Sequence, residues 1–106
     1  MTLKKRGLVP ELYVSDIGVS RAFYTDVLGF DVAFERPEDG FIYLSREGAE
    51  LMLDAIETGR TWLTAPLEAP FGRGVNLQIW TEDVASLYRC VEAANATVLL
   101  PLEEKW

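Results

Sequence analysis

The chain has 106 residues, 49% of them hydrophobic and 25% charged, with a formal net charge of −7 and one cysteine. That is the composition of one globular domain with a core of its own, and a lone cysteine excludes an internal disulfide framework. The acidity argues against nucleic acid or an anionic membrane as partner, since phosphate contact needs a basic footprint; no apolar run reaches the length of a membrane span.

The start, MTLKKRG, is basic but leads into no apolar stretch before Pro10, so it does not read as a secretory signal. Together with the single cysteine this predicts a cytoplasmic setting. Residues 8–14 (LVPELYV) predict a first strand, with Pro10 near its start because proline cannot donate to a ladder. Alternation puts Leu12 and Val14 on one face and Val9, Glu11 and Tyr13 on the other. Asp16 then reads as the N-cap of a helix. Val19, Phe23 and Val27 form one apolar row of that helix, and Tyr24 and Leu28 the next. Gly29 supplies a left-handed stop, and Phe30 is placed for the C-terminal hydrophobic contact.

Residues 31–36 (DVAFER) predict a second strand, with Val32 and Phe34 toward the helix. Pro37-Glu38-Asp39-Gly40 is a turn. A third strand at 41–46 sends Ile42 and Leu44 inward and Phe41 and Tyr43 outward. Glu47-Gly48 makes a tight hairpin. The fourth strand, 49–55, turns Leu51 and Leu53 inward and Glu50, Met52 and Asp54 outward. Residues 8–55 are thus a β–α–β–β–β module. The following 56–73 reads as a long loop, in which Trp62 and Phe71 must cover a sheet face or touch a partner.

The pattern then begins again. The offset that carries Asp16 onto Asp83 also carries Tyr13 onto Trp80, Leu12 onto Ile79 and Val9 onto Asn76. Residues 74–81 (GVNLQIWT) predict a strand with Asn76, Gln78 and Trp80 outward. A helix follows over 84–94, bearing Val84, Leu87, Tyr88 and Val91 on one side, with Asn95 in the place of glycine. Cys90 within it reads as a small buried hydrophobe. Residues 97–102 (TVLLPL) predict a further strand. By the same offset the third and fourth strands of this half would fall beyond Trp106, which predicts an incomplete second module whose tail is missing. The fold class expected is therefore α+β: one domain over 1–106, made of a module at 8–55, a loop at 56–73 and a partial module at 74–106.

With FYTDVLGF after strand and cap, and strand–Thr81-Glu82-Asp83-Val84–helix as its repeat, the chain resembles the vicinal oxygen chelate superfamily of glyoxalases, bleomycin-resistance proteins and extradiol dioxygenases. Val9-Pro10-Glu11-Leu12 is most similar to the bleomycin-resistance branch. The resemblance implies tandem modules curled into a cupped mixed sheet, a homodimer, and a small-molecule ligand in the cup. It also implies that a metal-dependent member would take ligands at positions falling on Val9, Asn76 and, at or next to it, Glu50. Val9 has no donor atom and the chain has no histidine, the usual ligand for such metals.

The residues expected to line the cup are Glu11, Tyr13, Tyr43, Glu50, Met52, Trp62, Asn76, Gln78 and Trp80. Such a mixture of rings and a few polar groups is what ligand sites present, against the bland alternative of a solvated sheet face. No nucleophile with an adjacent base and no phosphate loop is present. The expectation is a binding protein with no catalytic residues, no cofactor and no metal, which holds a cationic, aromatic molecule by stacking and by the carboxylates of Glu11 and Glu50. The alternative is a metal-dependent lyase or dioxygenase with a degenerate site.

Overall fold

The computed structural model describes residues 7–56 and 62–104. The basic start at 1–6, loop residues 57–61, and Lys105 and Trp106 lie outside the described residues. The elements run β1 (Glu11–Val14), α1 (Ile17–Ala22), β2 (Asp31–Arg36), β3 (Phe41–Arg46), β4 (Ala49–Ala55) and α2 (Val84–Ala93). The four strands form one mixed sheet in the order β1-β4-β3-β2, with β1 parallel to β4 and the other pairs antiparallel. Pro10 sets the ladder's end: its carbonyl accepts from the Met52 N–H at 2.8 Å, but it has no N–H to give.

Local chemistry explains the connections. The Val19 N–H donates to the Asp16 carboxylate at 3.1 Å, capping α1. After Ala22 the helix widens into a π-helical turn over Phe23–Val27. Gly29 ends it at φ +75°, the Phe30 N–H reaches back to the Tyr24 carbonyl at 2.8 Å, and the two rings meet edge to face at 5.6 Å. At the β3–β4 hairpin both turn residues, Glu47 and Gly48, have positive φ, the twist that matches paired strands. Asp83 caps α2 through the Ser86 N–H at 2.9 Å, and Asn95 takes the left-handed position after it at φ +55°.

The core lies between α1 and the sheet. Phe30, Ile42, Leu44, Leu51 and Leu53 are buried there, with Leu12, Val14, Ile17, Tyr24, Leu28 and Val32 packed around them. Burial pushes the Tyr24 phenol above its ordinary value, because the apolar surroundings disfavour phenolate. A raised folded-state value means stability that is complete below the ordinary value and is lost as pH climbs through the raised one. Urea midpoints are therefore expected to fall as pH rises past the ordinary phenol value of about 10, and to fall less in Tyr24→Phe.

Three expectations are corrected. Phe34 does not face the helix. The register between β2 and β3 slips between Val32 and Phe34, so Ala33 is a bulge residue. A bulge inverts the alternation beyond it. Val32 stays on the core side opposite Leu44, whereas Phe34 and Arg36 stand opposite Tyr43 and Phe41 on the other face. The second correction concerns the strands expected at 74–81 and 97–102, which carry no ladder among the described residues. A strand exists only by pairing, and β1, the counterpart of 74–81 in the first module, draws its bonds from β4; no such segment runs beside 74–81 among the described residues. Third, Cys90 is exposed, because it lies off the Leu87–Tyr88–Val91 side of α2, the half-buried one.

Candidate functional site

The sheet face away from α1 gathers one side chain from alternate positions of every strand. One row across it reads Tyr13, Asp54, Phe41, Arg36, and the next reads Glu11, Met52, Tyr43, Phe34. A third begins with Glu50 opposite Ser45. Of the expected site residues, the sheet therefore brings Glu11, Tyr13, Tyr43, Glu50 and Met52 together. Trp62 joins from the loop: its ring stacks on Tyr13 at 4.1 Å and 25°, and its backbone N–H donates to the Tyr13 hydroxyl at 3.3 Å.

Glu50 is the one buried charged residue among the described residues, at 8% exposure. Its Oε1 accepts from the Tyr43 hydroxyl at 2.7 Å. A cleft of about 320 Å³ opens beside it, lined also by Leu8, Pro10, Leu77, Gln78 and Ile79. Gln78 thus stands in the same cleft as Glu50. Asn76 and Trp80 remain exposed, Trp80 at 67%, and neither lines that cleft. The end of the segment is tied down where Arg46 donates to the Thr81 hydroxyl at 3.0 Å, while also pairing with Glu47.

The opposite edge of the face holds residues that strand alternation did not disclose. Phe34 stacks on Tyr43 at 5.1 Å and 21°, and meets Phe41 at 5.8 Å. The Arg36 guanidinium lies over the Phe41 ring at 4.5 Å. Nothing in DVAFER marks the bulge that puts them there. The same inversion sends Glu35 to the helix side, where Arg21 binds it through two nitrogens at 3.0 and 3.3 Å. That hydrogen bond, with the pair's charge attraction, raises the Arg21 pKa.

The positions that would hold a metal do not fit one. Val9 is hydrocarbon, Asn76 is exposed away from the Glu50 cleft, and Glu50 is bonded to Tyr43. Among the described residues no three His, Cys, Asp or Glu side chains are grouped as ligands. Nor is any described helix long and apolar enough to cross a membrane.

A mixed four-stranded sheet with its helix on one face and a ring-lined second face defines the class, and sequence comparison names it. Residues 8–105 match the Glyoxalase/Bleomycin resistance protein/Dioxygenase superfamily, and the chain belongs to that superfamily. A superfamily member from Vibrio splendidus 12B01 is 45% identical across 92% of this chain and 76% of its own, with a TM-score of 0.46. TioX from Micromonospora sp. ML1 is 20% identical over 95% of this chain and 81% of its own, with a TM-score of 0.69. Lactoylglutathione lyase from Agrobacterium tumefaciens is 23% identical over 92% of this chain and 77% of its own, at 0.55. The last two share the fold. No curated protein matches.

Proposed function

We propose that this chain is a small-molecule binding protein of the bleomycin-resistance type, which sequesters an aromatic, cationic ligand on the sheet face away from α1. The observation that carries the reading is the arrangement of that face. Ring pairs stand at both edges, Tyr13 with Trp62 and Phe34 with Tyr43, with Met52 between them. Three strand spacings make the face about 14 Å wide, enough for a planar system of several rings. Glu11, Glu50 and Asp54 supply negative charge beside it, and the net charge of −7 favours approach of a cation. Capture requires affinity and no chemistry.

In this reading 74–104 is the start of a second module, whose exposed apolar residues, Val75, Leu99 and Leu100 among them, are covered in a homodimer. The chain acts in the cytoplasm. The alternative is a metal-dependent lyase or dioxygenase of the same superfamily, against which the donor set at Val9, Glu50 and Asn76 counts.

Titration of the chain with a bleomycin-type glycopeptide, followed by tryptophan emission, is expected to quench or shift the signal, and Trp62→Ala to remove most of the change. Unaltered emission together with no heat of binding would refute a bleomycin-type ligand. Stoichiometric nickel, zinc, manganese or iron in the purified protein would refute the non-metal reading.

A further inference from the structure

We propose that the β2–β3 end of this face is a subsite for a flat two-oxygen anion borne by an aromatic ligand, with Arg36 as the anion's partner and Phe34 and Tyr43 as the stacking surface. The inference rests on the reading of this face as a ligand surface, and adds the sign of the charge accepted at one end of it.

Arg36 is held in position before any ligand arrives. Its guanidinium carbon lies 4.5 Å over the Phe41 ring and 6.0 Å from that of Phe34, a distance at which ring and cation attract. Phe41 is itself buried, so the platform under the guanidinium belongs to the sheet. Asp39 pairs with Nε at 3.3 Å, with both side chains more than half exposed. This leaves the two terminal nitrogens, which have no hydrogen-bond partner among the described residues. They are the prongs of a planar fork that matches a carboxylate with two parallel bonds. The exposed pair with Asp39 holds the fork's orientation and offers little competition.

Beside the fork, the Phe34 ring is 42% exposed and continues the Tyr43 stack. It stands on β2, an edge strand, so a ligand ring can lie on it without displacing another strand. Charge is distributed to match. Of the carboxylates of the face, Glu11, Asp54 and Glu50 sit on β1 and β4, two or three strands from Arg36, and Asp31, in the row of Ser45 and Glu50, sits at the far end of β2 from it. Glu35 points to the helix side and is occupied by Arg21. With Asp39 bound at Nε only, the Arg36 end of β2 is where the face accepts an anion, and β1 and β4 are where it accepts a cation. Lysine at position 36 would lack the fork, and the Ala33 bulge is what brings Arg36 to this side at all.

The test compares three probes of one shape by isothermal titration calorimetry on the full chain: 2-naphthoate, 2-naphthamide and 2-naphthylmethylammonium. Naphthoate is expected to bind about tenfold tighter than the amide. Arg36→Met should erase that preference, bringing naphthoate down to the affinity of the amide, and Phe34→Ala should weaken both. If naphthoate and amide bind equally to the unmodified chain, or if the preference survives in Arg36→Met, the anion subsite is refuted and the binding face stands. Binding of the ammonium probe alone refutes the subsite in the same way. Should none of the three bind, the subsite and the reading beneath it both fall.

Discussion

Leu53→Ala is expected to lower the unfolding free energy by about 3–5 kcal/mol, the usual cost of emptying a leucine site that cannot collapse. Leu53 has 0% exposure and sits on β4 between Leu12 of β1 and Ile42 of β3. It therefore fills the middle of the layer where α1 meets the sheet. Neighbours on both flanking strands are held by their ladders, so the void persists. Against a total stability of about 5–15 kcal/mol for ordinary domains, this one change removes a large share. Urea unfolding should show the midpoint falling with the slope preserved. A loss below about 1 kcal/mol would mean that the α1–sheet layer is not the core.

The second large effect is expected at Glu50. Replacing it by alanine removes the acceptor of the Tyr43 hydroxyl, a bond of 2.7 Å, and empties a buried site beside the cleft. The cost expected is about 1–3 kcal/mol. Glutamine keeps a carbonyl oxygen in reach and should lose less. Tyr43→Phe removes the other partner, so the double variant should cost less than the two single changes added together. Strict additivity in urea unfolding would show that the Tyr43–Glu50 bond contributes nothing. Because Glu50 also borders the cleft with Gln78, the same variants report on ligand capture: Glu50→Gln should weaken a cationic probe while nearly sparing the fold.

The glycine, asparagine and aspartate signals are the most legible part of this chain. Asp16, Asp83, Gly29, Asn95 and the Glu47-Gly48 turn each behave as their chemistry dictates, since a cap or a turn is decided within four or five residues. Alternation likewise places Leu51 and Leu53 inward and Glu50 and Met52 outward, because β4 is regular along its length. The face that carries Tyr13, Tyr43 and Glu50 is readable for that reason. Trp62 is readable as a ring that needs cover and as a lining residue, and only the fold shows that it stacks on Tyr13.

The sequence by itself determined the caps and stops of the helices, the inward turn of Ile42, Leu44, Leu51 and Leu53 on β3 and β4, and the superfamily pattern around FYTDVLGF; it did not place Leu77 and Ile79, which it turns toward α2 and which are exposed. Tertiary structure alone decided three matters. It put Phe34 and Arg36 on the open face, through a bulge at Ala33 that exists only against β3. It withheld strand structure from 74–81, whose β-forming residues have no ladder partner among the described residues. And it separated Gln78, beside Glu50, from Asn76 and Trp80 outside that cleft. The physical reason is common to all three: caps and periodicity act through bonds between near neighbours, whereas pairing, register and burial depend on which distant segment arrives alongside.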